Sequence, residues 1–119
     1  MRIYMKTNQT NTSILNKDKK YQEIMIGIIM ELKHFTTEQT RQVGENLGIK
    51  WDKFDIEQFR IGMEVELEHG KRDSLTNVTN DDIILTGKIA LAHLNEFPDY
   101  YTRLIKMEKE ADEFWKKDS

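Results

Sequence analysis

The chain has 119 residues, no cysteine, one proline and a net charge of −3. That is one domain by length, with enough chain to bury a core unaided. Disulfides, thiol nucleophiles and Cys-ligated metal centres are excluded. The charge is uneven: residues 1–33 hold 6 basic and 3 acidic side chains, and the remainder holds 12 and 18. The main part is therefore acidic, which argues against a surface built to neutralise phosphates.

Residues 1–20 are rich in Asn, Thr and Lys and carry few apolar residues after Met5. We expect a flexible tail there. Tyr21, Ile24, Met25, Ile28, Ile29 and Leu32 then follow the spacing of an amphipathic helix over 21–33. Such a stripe packs on a domain core, or it docks on a partner or a second copy through Tyr21, Ile24, Ile28 and Leu32. Met30 could also serve as an alternative start, which would make this helix an optional extension.

The remaining residues, 34–119, read as a helical domain. Thr36 and Gln39 have capping-box spacing ahead of a helix that runs to Leu47 and closes at Gly48. Trp51–Phe54 make a turn. Asp55 and Gln58 open the next helix, and Phe54 and Phe59 are placed as a hydrophobic staple across its cap. Ile56, Phe59, Met63 and Leu67 form its inward stripe, with Arg60, Glu64, Glu66 and Glu68 mostly on other faces. Gly70 is the expected stop signal, so that helix is expected to end at His69.

A polar loop, Gly70–Thr79, follows. Thr79 or Asn80 is the expected cap of the next helix, with Asp81 and Asp82 against its positive end. That helix is expected to reach about Glu96, with Ile83, Ile84, Gly87, Ala90, Leu91 and Leu94 inward. Pro98 suits the first position of a last helix carrying Tyr101, Leu104, Ile105, Glu108, Ala111 and Trp115 at helical spacing. No β-alternation occurs. The expected fold is all-α, a small bundle of four core helices plus the N-terminal one.

LGIKWDKFDIEQFRIGMEVELEHG and NVTNDDIILTGKIALAHLNEFPDYYTRLIKMEKEAD resemble a small domain family of bacteria and phages with no assigned function. The resemblance covers roughly Lys33–Trp115, and residues 1–32 look like an addition. It implies a small helical domain and carries over no catalytic or binding residue.

Three functions are weighed. The first is a non-enzymatic protein-interaction or self-associating domain, using the N-terminal helix and the Gly70–Thr79 loop. No serine stands in a nucleophile elbow and no glycine-rich phosphate loop exists, so no familiar catalytic machinery is present. The second is a divalent-metal site, structural or enzymatic. Glu66 and His69 have Glu-x-x-His spacing, and antiparallel helices would bring them, with Glu68, near Asp81 and Asp82. The plainer account of these residues is dipole compensation and ion pairing. His93 falls outside this cluster, about 16 Å further along its helix at about 1.5 Å per residue. The third is DNA binding by a helix-turn-helix over Thr40–Gln58. Its connection is long for that motif, and the would-be reading helix is acidic. No spanning segment or secretion signal is read, so a cytoplasmic setting is expected.

Overall fold

The computed structural model describes residues 33–116 together with Glu23. The expected tail 1–20 and the helix 21–33, with Tyr21, Ile24, Ile28 and Leu32, lie outside the described residues, although Glu23 itself is helical. Four helices are present in the described part: α1 (Thr37–Asn46), α2 (Ile56–Arg72), α3 (Ile83–Glu96) and α4 (Tyr100–Lys116). No strand occurs among these residues.

Each start is made by a short polar side chain standing in for the missing helical acceptor. Thr36 Oγ1 accepts from Gln39 N at 3.1 Å, and the Gln39 side chain accepts from Thr36 N at 2.9 Å, completing the expected capping box. Gly48 turns the chain after α1 at φ +77°. Asp55 accepts from Gln58 N at 2.8 Å. The Phe54 and Phe59 rings meet across that cap with centroids 6.4 Å apart, as a staple requires.

Two boundaries differ from the sequence expectation. The second helix does not stop at His69 but continues through Gly70 to Arg72. Gly48, not Gly70, is the described glycine with positive φ. A methyl group at Gly70 would lie 3.1 Å from Asn77 Oδ1, so this glycine makes room for the loop that folds back over it. Lys71 and Arg72 then place positive charge at the negative end of the dipole. The third helix is capped by Asp82, which accepts from Leu85 N at 2.9 Å. Thr79 and Asn80 do not cap it. Asn80 and Asp81 adopt φ +51° and +63°, and a cap needs extended backbone. Pro98 likewise sits in the turn before α4 and not within its first turn.

The second helix is the axis of the fold. It packs on α1, α3 and α4, most extensively on α3. Phe59–Leu67 are all buried, which is more than two full turns, so no face of this stretch meets water. The core is Val43, Phe54, Phe59, Ile61, Met63, Val65, Ala90, Leu94, Tyr101 and Ile105. Small residues let α3 come close: a methyl group at Gly87 would sit 2.7 Å from Val43 Cγ1 and 3.4 Å from Phe59 Cζ. Ile83, expected to face inward, is exposed at the open end of α3.

Candidate functional site

Burying α2 on every side forces its polar residues inside. Glu64 is 0 % exposed and Glu66 8 %, contrary to the expectation that they lie off the buried stripe. A buried carboxylate must be ionised and fully partnered, or neutral. Both are surrounded by donors.

Glu66 joins three helices. Tyr101 of α4 donates its hydroxyl hydrogen to Glu66 Oε2 across 2.6 Å. His93 of α3 places Nδ1 3.1 Å from the same oxygen and 3.1 Å from the Tyr101 hydroxyl. With the Tyr101 hydrogen committed to Glu66, Nδ1 must be the protonated nitrogen of His93, because it faces oxygens that accept. The His93 ring stacks on Tyr100 at 4.4 Å and 8°. On α2 itself, His69 Nδ1 lies 3.7 Å from Glu66 Oε1, and its Nε2 is 2.7 Å from Glu108 Oε1 of α4. The result is a continuous row: Glu108, His69, Glu66, then His93 and Tyr101.

The electrostatics follow from this row. For Glu66, burial is the largest influence and pushes its pKa up. The hydrogen bonds of His69 and Tyr101 and the charges of His69 and His93 together outweigh it, so the carboxyl ends below its ordinary value. Glu108 is likewise pushed up by burial and pulled further down by His69 and by Arg72. His69 is raised by its bond to Glu108 first and to Glu66 second, against the opposing effect of burial. Burial, reinforced by the Glu66 charge, lifts the Tyr101 hydroxyl far above the usual phenol range, so it remains a donor.

Glu64 forms a second centre on the other side of α2. Its Oε1 accepts from Phe35 N at 2.6 Å and lies 3.7 Å from Arg60 Nη1. His34 Nδ1 is 2.8 Å from Oε2. Arg60 also grips Glu57, with Nη2 2.6 Å from Oε1. This centre fastens the segment before α1 onto α2.

Of the four residues considered for a metal, the structure brings together Glu66 and His69. Asp81 accepts from Asn77 Nδ2 at 3.1 Å within the loop, and Asp82 is occupied as the α3 cap. Among the described residues no group of three or more His, Asp or Glu side chains is arranged to hold a metal ion. His93, placed outside the cluster by counting along α3, is inside it. The reason is that α3 crosses α2 so that its last turn, not its first, lies against Glu66. Tyr101 and Glu108 were not anticipated. Their signal was present: each polar member sits seven residues beyond a buried one, Glu66 after Phe59, His93 after Thr86 and Glu108 after Tyr101. Seven residues return to nearly the same helix face.

The helix that a helix-turn-helix reading would lay in a DNA groove is α2, the most enclosed element of the fold. Its base-reading face would have to be solvent-accessible.

These features define a small all-α domain organised on a central helix with buried, hydrogen-bonded carboxylates. Residues 40–110 match the family described as Protein of unknown function (DUF5661), and the chain belongs to that family. No curated protein and no solved structure matches it. The whole Glu66 row lies inside the matched residues, whereas His34 and Phe35 lie outside them. No helix among the described residues is long and apolar enough to cross a membrane.

Proposed function

We propose that the protein is a non-catalytic helical interaction domain whose α2–α3 loop docks a protein partner, a second copy of the chain or another polypeptide. One observation carries this reading. Leu75 and Val78 are 89 % and 82 % exposed on a loop tied together by its own hydrogen bonds. Asp73 accepts from Leu75 N at 2.9 Å. Asn77 Oδ1 accepts from Asn80 N at 2.9 Å, and Thr79 Oγ1 accepts from Asp81 N at 3.2 Å. Thr79 is buried and anchors the loop from within.

Apolar side chains held in water by an ordered loop cost solvation energy with no return inside the monomer. Leu85, 43 % exposed on the first turn of α3, extends the same kind of surface. The buried row supports the same reading from the other direction. Its carboxylates, imidazoles and hydroxyl bond to one another, which is the behaviour of a structural network.

The test is a photo-crosslinking amino acid at 75 or 78 in the full chain, in the cells that natively make it, with position 88 as an exposed control. Discrete protein adducts at 75 and 78 that are absent at 88 are expected. Equal labelling at all three positions would sink the proposal. A band at twice the chain mass identifies self-association.

A further inference from the structure

The last helix carries a second apolar row beside the one it buries. Tyr101 and Ile105 are the buried residues of α4 and belong to the core. Leu104, Met107, Ala111 and Phe114 follow one another at intervals of three, four and three, the spacing of a coiled-coil seam. Leu104 and Ala111 are half-buried, at the edge where α4 meets the rest of the domain. Met107 and Phe114 are 56 % and 59 % exposed. The Trp115 ring meets the Phe114 ring edge-on, with centroids 5.1 Å apart, and widens the apolar strip. From Leu104 to Phe114 the seam runs about 15 Å, at about 1.5 Å per residue.

The charges along this seam are sorted by sign. Arg103 and Lys106 lie beside its first half, Glu110 and Glu113 beside its second, and all four are exposed. Arg103 Nε is 2.9 Å from Asp99 Oδ1, and its guanidinium lies over the Phe97 ring, 4.2 Å from the centroid. Those two contacts steady the guanidinium next to the seam.

This sorting selects the partner. A second copy of α4 running the opposite way sets the positive half of each helix against the negative half of the other. Leu104 then lies across from Phe114, and Met107 across from the small Ala111. A parallel copy would instead set Arg103 and Lys106 against their own counterparts. An antiparallel pair has a two-fold axis, so each favourable contact is made twice.

We propose that α4 is a self-association surface: two copies of the chain pair their last helices antiparallel through Leu104, Met107, Ala111 and Phe114, with Arg103 of each copy facing Glu110 of the other. The surface is separate from the α2–α3 loop and does not depend on it. One pair of short helices belongs to the small class of interface, below about 1,200 Å² in total, so the dimer is weak and forms at high concentration.

The experiment is sedimentation equilibrium on the full chain from about 10 μM to about 1 mM, a span suited to an interface of this class. A monomer–dimer equilibrium that weakens as salt is added is expected. Met107→Gln combined with Phe114→Gln should weaken it by at least about tenfold, because exposed apolar area then has no reason to pair. Glu110→Arg should weaken it by about tenfold, since it turns two symmetry-related attractions into repulsions. Arg103→Glu combined with Glu110→Arg should restore it, because the two charges have only changed places. Leu75→Ser combined with Val78→Ser should leave it unchanged. A wild-type chain that is monomeric throughout would overturn the proposal and leave Met107 and Phe114 to a different occupant. So would a dimer indifferent to the Met107 and Phe114 substitutions, or one that Glu110→Arg weakens and the exchanged pair does not restore. Circular dichroism establishes that each variant is folded before its association is read.

Discussion

The hydroxyl of Tyr101 and Oε2 of Glu66 lie 2.6 Å apart, 35 residues distant in sequence, and both side chains are buried. Tyr101 is 0 % exposed and its ring also presses against Gly62 of α2. One residue thus supplies apolar bulk to the core and a donor to its carboxylate. Tyr101→Phe would keep the bulk and remove the donor. A hydrogen bond to a charged group contributes about 1.5–3 kcal/mol. We expect a loss of about that size in urea denaturation with an unchanged m-value. A loss under about 0.5 kcal/mol, the size of an ordinary surface change, would show that Glu66 is satisfied without it.

Gly62 tests the packing side of the same contact. A methyl group there would lie 2.5 Å from Tyr101 Cε2 and 2.9 Å from Cδ2. Ala is favoured over Gly in a helix by roughly 0.8–1 kcal/mol. Overpacking typically costs about 1–3 kcal/mol, and a ring fixed by the core and by Glu66 cannot step aside cheaply. Gly62→Ala is expected to lower the melting temperature despite its better propensity. A higher melting temperature would mean that α4 shifts freely on α2.

Acid should destabilise the protein through Glu66 and Glu108. Both have folded pKa values below their ordinary 4.5. Their contribution is present above 4.5 and is lost as the pH falls through the depressed values. Glu108→Gln should flatten that acid limb partially, because Glu66 remains. The check is the melting temperature between pH 3 and 7 for both proteins; superimposable acid limbs would remove Glu108 from the account.

Leu75→Ser combined with Val78→Ser separates docking from folding. Both side chains are almost wholly in solvent, so stability should stay within about 0.5 kcal/mol of the parent. Partner adducts at an adjacent crosslinking position should disappear. Unchanged adducts would place the docking surface elsewhere, and a large stability loss would show that the loop residues pack in the monomer.

Removing the α3 cap is a purely local test. Asp82→Ala leaves Leu85 N without its acceptor and should cost about 1 kcal/mol in thermal or urea unfolding. Thr79→Ala would match that cost by a different route, since Thr79 is buried and accepts from Asp81 N in the loop. Asn80→Ala removes neither cap nor anchor, but it puts Ala at φ +51°, where the left-handed region costs roughly 1–2 kcal/mol, so its loss should be about as large as that of Asp82→Ala.

Local chemistry was legible in the chain alone. The Thr36–Gln39 box, the Asp55 cap with its Phe54–Phe59 staple and the turn at Gly48 depend on residues a few positions apart, and short-range sterics and hydrogen bonding decide them. The all-α class follows from the same signals together with the helical spacing of apolar residues. Loop reach decided the boundaries at Arg72 and Asp82: whether Gly70 ends a helix or makes room for Asn77 depends on where the following residues fold. The Glu66 row needed tertiary structure most of all. Heptad spacing puts Glu66, His93 and Glu108 on inward faces, but a charged residue in such a position reads as a solvated one until its partners are known. Those partners come from three helices, and the angles at which α3 and α4 cross α2 choose them. The sequence by itself determines which residues make helices and which faces carry bulk. Only the packing of those faces decides that a carboxylate inside them has enough donors to remain charged.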